Sequence, residues 1–258
     1  MLRAGLRVGG AADDVKAPAV RTIILDIEGT TTPIAFVTET LFPYTRGHLR
    51  PYLNAHWADS ADLIERLRRE HQHEQDEPAP PWSDASPQSR AASVIAYVEW
   101  LMDRDRKSPA LKELQGRIWE EGYRAGELVG EVFPDVPRAL ERWQRAGIAT
   151  GIFSSGSVLA QQLLFRHSSS GDLTRFLKWH FDTSVGAKGE PESYKRIASA
   201  IGGAPAHILF ISDIVRELDA ARAAGMQTML SERPGNAVPS KHHHPIVRSF
   251  DGIALTSS

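Results

Sequence analysis

The apolar run Thr-Ile-Ile-Leu at 22–25, which ends on Asp26, constrains the fold of this chain more than any other feature. A short β-branched and apolar run bounded by a turn signal is typical of a parallel strand covered on both faces. A second acid, Glu28, and then Gly29 follow. Since open α/β sheets bind ligands at the carboxyl ends of their strands, Asp26 and Glu28 are candidates for a nucleophile or for metal ligands. Asp and Gly are also common in simple turns, so features elsewhere in the chain are needed to distinguish a functional site from a turn.

Composition narrows the classes of partner. The 258 residues are 41% hydrophobic and 24% charged, which is ordinary for a globular protein. A formal net charge of −2 gives no electrostatic reason to bind nucleic acid or an anionic membrane. The absence of cysteine excludes disulfides and thiolate chemistry. No run approaches the ~18 apolar residues of a membrane span, and residues 1–19 lack the apolar core of a signal peptide. We therefore expect a cytoplasmic protein.

Between residues 132 and 230, strand and helix patterns alternate at the short spacing of βα units. Asp135 as a cap, with Pro137 in the first turn, predicts a helix start, and Gly147 predicts its end. We expect strands at 148–153, 181–185, 207–211 and 227–230, and helices at 158–165, 193–201 and 215–224. This alternation predicts an α/β fold with a Rossmannoid parallel sheet and helices on both faces.

From residue 33 to residue 130 amphipathic helical patterns dominate, for example at 61–69, 91–102 and 111–122. A proline-rich, charged segment at 74–81 interrupts them, and we expect a mobile loop there. Because this region directly follows the first strand, we predict an inserted all-helical cap domain that serves as a lid. The α/β core then comprises 20–32 and 131–258, and 1–19 is expected to be a disordered extension.

Four predicted strand ends carry polar side chains that suit one chemistry. They are Asp26 with Glu28, Ser154 with Ser155, Lys188, and Asp213. In a parallel sheet these ends share one edge, so the side chains converge. Phosphoryl transfer needs a nucleophile and neutralisation of the transferring oxygens. Asp26 suits the role of the nucleophile. The carboxylates of Asp26, Glu28 and Asp213 suit the binding of Mg²⁺.

The remaining groups also suit phosphoryl transfer. Ser154 and Ser155 at a helix N-terminus suit a phosphate cradle, and Lys188 would balance the charge of Asp26 and of the phosphate. Glu28 is placed to protonate the leaving group and then to activate water.

Each candidate also has a purely structural alternative. Ser154 and Ser155 would serve equally well as helix caps, Lys188 as a solvated surface residue, and Asp213 as the N-cap of the following helix. We interpret Glu217 and Asp219, one turn further on, as surface groups or as support for the site, with Glu217 the better candidate for support. The run of three histidines at 242–244 is interpreted as a solvated loop.

The order of these motifs resembles the haloacid dehalogenase (HAD) superfamily of Mg²⁺-dependent phosphatases, and within it the enolase-phosphatases of methionine salvage. The resemblance extends from Val20 to Ile253. Its segments are Asp26-Ile-Glu-Gly-Thr-Thr-Thr-Pro33, Leu101-Met-Asp-Arg-Asp-Arg-Lys107, Leu114-Gln-Gly-Arg-Ile-Trp119, Ser154-Ser-Gly-Ser157, Gln162-Leu-Leu-Phe165, Gly171-Asp-Leu173, Phe181-Asp-Thr183 and Arg233-Pro-Gly-Asn236. Pro109 and Arg166 depart from the family pattern, which often has Thr and Gly there.

The resemblance implies a HAD-like fold and one Mg²⁺ per subunit, held by Asp26, Glu28 and Asp213. It also implies substrate binding by Ser154, Ser155 and Lys188, and catalysis by Asp26, Glu28 and Lys188. The implied substrate is 2,3-diketo-5-methylthiopentyl-1-phosphate. It would be enolised and then dephosphorylated, through an aspartyl-phosphate, to the acireductone 1,2-dihydroxy-3-keto-5-methylthiopentene. The expected protein is a monomer whose partner is this small phosphorylated molecule.

Two other functions compete with this one. A phosphatase of the same superfamily that acts on another small ester, such as a sugar phosphate, would share the core motifs, because specificity would reside in the cap. A phospho-accepting signalling domain of receiver type also places Asp, Ser or Thr, and Lys around a parallel sheet. Such a domain needs neither the inserted helices nor Glu28.

Overall fold

The computed structural model describes residues 4–7, 19–75, 78–237, 239 and 241–257. The chain divides into two compact units, one formed by Met1–Phe36 with Val129–Ser258 and the other by Val37–Leu128. The described strands are β1 (Ala4–Arg7), β2 (Thr22–Leu25), β3 (Ala149–Phe153), β4 (Leu177–Phe181), β5 (Ile208–Ser212), β6 (Gln227–Ser231), β7 (Ile246–Val247) and β8 (Ala254–Ser257).

The described α-helices are α1 (Phe42–Ala55), α2 (Ala61–Gln72), α3 (Pro87–Asp103), α4 (Pro109–Ala125), α5 (Asp135–Arg145), α6 (Val158–Arg166), α7 (Pro191–Ile201) and α8 (Val215–Ala223). A π-helical segment, Phe36–Leu41, precedes α1, and 3₁₀ turns occur at Thr174–Phe176, Thr183–Val185, Pro205–His207 and Phe250–Gly252. No helix in the described part of the chain is long and apolar enough to cross a membrane.

The first unit is built on a parallel sheet of six strands in the order β4-β3-β2-β5-β6-β7. β2 and β5 lie at its centre, and every residue of both strands is buried. A central parallel strand is covered on both faces, which is why these two segments are almost entirely apolar. α5 and α6 contact β3 and β4, whereas α7 and α8 pack in one apolar cluster with Phe153 and Phe210. The α/β fold predicted from the sequence is confirmed.

The strand predicted at 181–185 was misplaced. β4 ends at Phe181, and 183–185 form a 3₁₀ turn that begins where the Asp182 Oδ1 atom accepts a hydrogen bond from the Ser184 amide at 2.9 Å. β4 lies at the edge of the described sheet, and its interior residues Lys178, Trp179 and His180 are only partly buried or exposed. A pattern search for a continuous apolar run therefore passes over it.

The expectation of a disordered extension over 1–19 fails at four residues. Ala4–Arg7 pair antiparallel with Ala254–Ser257 in a second, two-stranded sheet. The pairing joins segments from opposite ends of the sequence, so no local turn signal announces it. Ala19 is also among the described residues, whereas 1–3 and 8–18 lie outside them.

The second unit consists of α1 to α4 around its own apolar core, whose fully buried members include Leu49, Leu67, Val98 and Leu114. The sequence predicted α2, α3 and α4 but not α1, which carries Pro51 in its interior. α4 begins at the Ser108 side chain, which accepts the Leu111 amide at 2.9 Å. Pro109 is then the first helical residue, where a proline costs no hydrogen bond. The unit spans Val37–Leu128, and its role as a cap stays a prediction.

Candidate active site

The carboxyl ends of three adjacent parallel strands bring the predicted site residues together. Asp26 follows β2, Ser154 follows β3 and Asp213 follows β5. A cavity of about 160 Å³ lies at this edge, lined by Asp26, Glu28, Ile34, Ser154, Ser155, Lys188, Asp213, Ile214 and Glu217. All six residues predicted from the sequence line it.

Asp26 is held at the wall of the cavity by several contacts. Its side chain is 7% exposed, and its backbone amide donates to the Ile211 carbonyl at 2.9 Å, which fixes the end of β2 against β5. Oδ1 accepts the Ile27 amide at 2.8 Å, and Oδ2 lies 3.1 Å from the Ser212 hydroxyl. The carboxylate therefore has a defined orientation.

Lys188 reaches the same carboxylate from a loop beyond the end of β4. Its Nζ atom lies 2.7 Å from Oδ1 of Asp26 and 2.7 Å from Oε2 of Glu217, and its side chain is only 9% exposed. The Tyr194 hydroxyl donates to the Lys188 carbonyl at 2.7 Å and so fixes the backbone. Burial lowers the pKa of Lys188, but the carboxylates of Asp26 and Glu217 outweigh it, so the net pKa lies above the ordinary value. The alternative of a solvated surface lysine is wrong.

Glu217 belongs to the site more directly than the sequence suggested. It lies in the first turn of α8, and Oε2 lies 2.9 Å from the Ser212 hydroxyl. Burial and the nearby Asp26 carboxylate raise the pKa of Glu217 to about 7. Its spacing of four residues from Asp213, across the start of a helix, is the signal that was available in the sequence. Asp219 is exposed and instead lies 3.0 Å from Nε2 of His244.

Ser154 and Ser155 are not helix caps. The cap of α6 is Ser157, whose hydroxyl accepts the Ala160 amide at 3.3 Å. Ser154 is buried, and its amide donates to the Phe181 carbonyl at 3.1 Å, which places it at the end of β3. Its hydroxyl accepts the Gly156 amide at 3.2 Å. Ser154 and Ser155 therefore line the cavity and do not cap α6.

Asp213 does not cap α8 either, because the residue at that position is Ile214 and it makes no side-chain cap. Burial and the Asp26 carboxylate together raise the pKa of Asp213 to about 7. A buried carboxyl whose pKa is raised by a neighbouring carboxylate lies where a cation would be stabilised.

The donor set fits a hard divalent cation. Among the described residues, no three His, Cys, Asp or Glu side chains come close enough to hold a metal ion by themselves. Mg²⁺ does not require such a cage, because it commonly uses one or two carboxylates and completes its shell with water and substrate phosphate oxygens. Asp26 and Asp213, with Glu28 on the same cavity wall, supply the oxygen atoms such a site needs.

The comparisons with known proteins agree with this fold. Residues 20–225 match the model of the haloacid dehalogenase-like hydrolase family. The chain is 49% identical over 238 residues to enolase-phosphatase E1 of Synechococcus elongatus, which covers 91% of this chain and 98% of that protein. It is 42% identical over 244 residues to enolase-phosphatase E1 of Drosophila mojavensis, with 93% and 96% covered. Among solved structures, the UTR4 protein of Saccharomyces cerevisiae superposes with a TM-score of 0.67 at 32% identity, over 90% of this chain and 99% of that one.

The match to the family model over residues 20–225, together with the parallel sheet, shows that the chain is a haloacid dehalogenase-like hydrolase. Within that class, the extent and level of identity are decisive: the chain belongs to the enolase-phosphatase E1 family. The chain is therefore a hydrolase, and a receiver-type signalling domain is no longer a candidate for its function.

Proposed function

We propose that the protein is the acireductone synthase of methionine salvage. It enolises 2,3-diketo-5-methylthiopentyl-1-phosphate to a 2-hydroxy-3-keto enol phosphate and then removes the phosphate. The product is 1,2-dihydroxy-3-keto-5-methylthiopentene. The observation that carries this proposal is the Asp26 carboxylate, held at the cavity wall with its charge balanced by Lys188 at 2.7 Å.

In the phosphatase half, a carboxylate oxygen of Asp26 attacks phosphorus. A bond forms between that oxygen and phosphorus, and the bond from phosphorus to the enol oxygen breaks. Glu28 donates a proton to the departing oxygen. Glu28, now a carboxylate, takes a proton from water as the water attacks the phosphorus of the aspartyl-phosphate, which releases inorganic phosphate and restores Asp26.

The other cavity residues bind the phosphoryl group and neutralise its negative charge. Ser154 offers its hydroxyl, and Ser155 its hydroxyl and backbone amide, to the phosphoryl oxygens, as the loop before a helix commonly does. Lys188 carries its positive charge between Asp26 and Glu217 and would balance the charge of a phosphate bound beside them. Hydrogen-bond donors stabilise the oxygens of the transferring phosphoryl group most when their positions are fixed before the reaction. The Tyr194 contact fixes the backbone of Lys188 in this way.

A Mg²⁺ ion, held by Asp26, Glu28 and Asp213, would supply positive charge to the phosphoryl oxygens and to the enediolate. In the enolase half, a base takes a proton from a carbon next to a carbonyl group, and the carbonyl oxygen takes up a proton to become the enol hydroxyl. Glu28, which lines the cavity with Asp26, is a candidate for the base.

The proposal for the whole protein also includes its location, its oligomeric state and its metal content. We place it in the cytoplasm, as a monomer with one Mg²⁺ per subunit and with no nucleic-acid or membrane partner. The formal net charge of −2 supports the absence of polyanionic partners. Size-exclusion chromatography with light scattering tests the oligomeric state.

The experiment that tests the function is a comparison of substrates. kcat/KM would be measured for the diketo phosphate and for several sugar phosphates, with Mg²⁺ and again with EDTA. We expect phosphate release only with Mg²⁺, and a strong preference for the diketo phosphate. Equal kcat/KM values on unrelated esters would contradict the proposal and favour a general phosphatase of the same superfamily.

A further inference from the structure

The segment from Ser231 to Asn236 holds the loop that follows Asp26. The Ser231 hydroxyl donates to the Gly29 carbonyl at 3.1 Å, and Nε of Arg233 donates to the Thr30 carbonyl at 3.1 Å. Nδ2 of Asn236 donates to the same Gly29 carbonyl at 2.7 Å. These contacts join residues more than 200 positions apart in the sequence. The carboxyl end of β6 thus supports the turn at the carboxyl end of β2.

Asn236 differs from the other two donors because it also reaches Asp213. Its Nδ2 atom lies 3.4 Å from Oδ2 of Asp213. The amide nitrogen carries two hydrogens, so one group can serve the Gly29 carbonyl and the Asp213 carboxylate together. The Gly29 carbonyl can only accept, which fixes which end of the amide faces it.

The space around Gly29 shows how tightly these groups meet. Gly29 has φ +66°, and a Cβ atom built there would lie 2.3 Å from Oδ2 of Asp213 and 2.8 Å from Nδ2 of Asn236. The Gly29 backbone, the Asp213 carboxylate and the Asn236 amide are therefore packed against one another. Rotation of the Asp213 carboxylate is limited on the side that faces Gly29.

We propose that Asn236 is a positioning residue that orients the Asp213 carboxylate toward the cation site. The inference rests on the proposed function, since it assumes that Asp213 binds Mg²⁺. Groups that hydrogen-bond a metal-binding carboxylate fix its orientation, and their loss commonly weakens metal affinity by about 10–100-fold. Asn236 is uncharged, so it achieves this without neutralising the carboxylate.

The test is a calorimetric titration of Mg²⁺ into the full-length protein and its variants. Asn236→Ala removes the donor to both Gly29 and Asp213, and we expect at least a ~10-fold rise in the Mg²⁺ Kd. Asn236→Gln keeps the amide but moves it by one methylene, and we expect a smaller rise. Ser231→Ala is the matched control, because it removes a donor from the Gly29 carbonyl without touching Asp213, and its Kd should stay close to that of the wild type.

Kinetics provide a second readout. As Mg²⁺ is raised to saturation, kcat of Asn236→Ala should recover, because the defect lies in metal affinity. A Kd of Asn236→Ala equal to that of the wild type overturns the inference and leaves the proposed function intact. Equal losses in Asn236→Ala and Ser231→Ala also overturn it, since they would show general support of the loop. A wild type that binds no Mg²⁺ overturns both the inference and the proposed metal dependence.

Discussion

The Nζ atom of Lys188 lies 2.7 Å from Oδ1 of Asp26, although Asp26 follows β2 and Lys188 lies on the loop after β4, and neither side chain is more than 9% exposed. The same Nζ atom lies 2.7 Å from Glu217, so one buried lysine faces two carboxylates. An arrangement of this kind stays stable only while every charge has its partner. The two ion pairs explain why Lys188 is held firmly although it lies outside any helix or strand. Replacing Lys188 therefore tests their contribution directly.

Asp26→Asn keeps the size of the side chain but removes the attacking carboxylate. We expect phosphate release to fall by at least about a thousand-fold, as it does when a nucleophile is removed from an enzyme. The circular dichroism spectrum should stay that of the wild type. Retained turnover in a folded variant would refute Asp26 as the nucleophile.

Lys188→Ala leaves Asp26 and Glu217 close together without a cation. In the absence of Mg²⁺ we expect the free energy of unfolding in urea to fall by about 3 kcal/mol or more, the usual cost of breaking a buried pair. Substrate binding and kcat should both weaken.

The matched control for Lys188 is Lys195→Ala on α7, whose Nζ atom lies 3.2 Å from Glu192 in an exposed pair. This pair should contribute less than about 1 kcal/mol. An unchanged kcat/KM in Lys188→Ala would count against the catalytic role of Lys188.

Gly29→Ala tests the close approach at the turn after Glu28. Two costs are expected: strain of about 1–2 kcal/mol from the left-handed backbone, and a clash with Asp213, whose Oδ2 atom would lie 2.3 Å from the new Cβ. We expect Mg²⁺-dependent activity to be lost. Gly147→Ala separates the two costs, because Gly147 has φ +74° and nothing within 4 Å of a Cβ. It should lose stability but keep its activity, and equal activity in both variants would show that the crowding is unimportant.

Arg233→Ala breaks a buried pair that supports the core unit. Nη1 of Arg233 lies 2.8 Å from Oδ2 of Asp135, both side chains are at most 7% exposed, and the guanidinium lies over the rings of Phe133 and Phe250. We expect the midpoint of urea unfolding to drop by the equivalent of about 3 kcal/mol or more. Arg145→Ala, which removes an exposed pair with Glu141, should cost under about 1 kcal/mol. Similar midpoints for the two variants would contradict this account.

The parts of the site that were predictable from the sequence follow fully buried strands. β2 and β5 are buried throughout and almost entirely apolar, so Asp26 and Asp213 stand out as the first acids after them. Asp135 was expected to cap α5, yet it lies within the first turn and its side chain instead pairs with Arg233. The sequence alone could not reveal such a pairing, because it depends on how distant loops fold together.

The same limit applies to the supporting residues of the site. Lys188 was attributed to the end of a strand, but β4 ends at Phe181 and the lysine arrives on the loop that follows. The contacts of Ser231 and Asn236 with Gly29 cross more than 200 residues. No periodicity or local motif encodes a contact of that kind. Family motifs identified the segment but not its partner.

The order of enolisation and phosphate release tests the central claim most directly. Wild-type protein with Mg²⁺ would be mixed rapidly with the diketo phosphate while enol absorbance and inorganic phosphate are followed together. We predict a rise in enol absorbance before phosphate appears, because the enol phosphate must form before Asp26 attacks it. Phosphate release with no preceding enol signal would contradict the assignment of an enolase-phosphatase to this site.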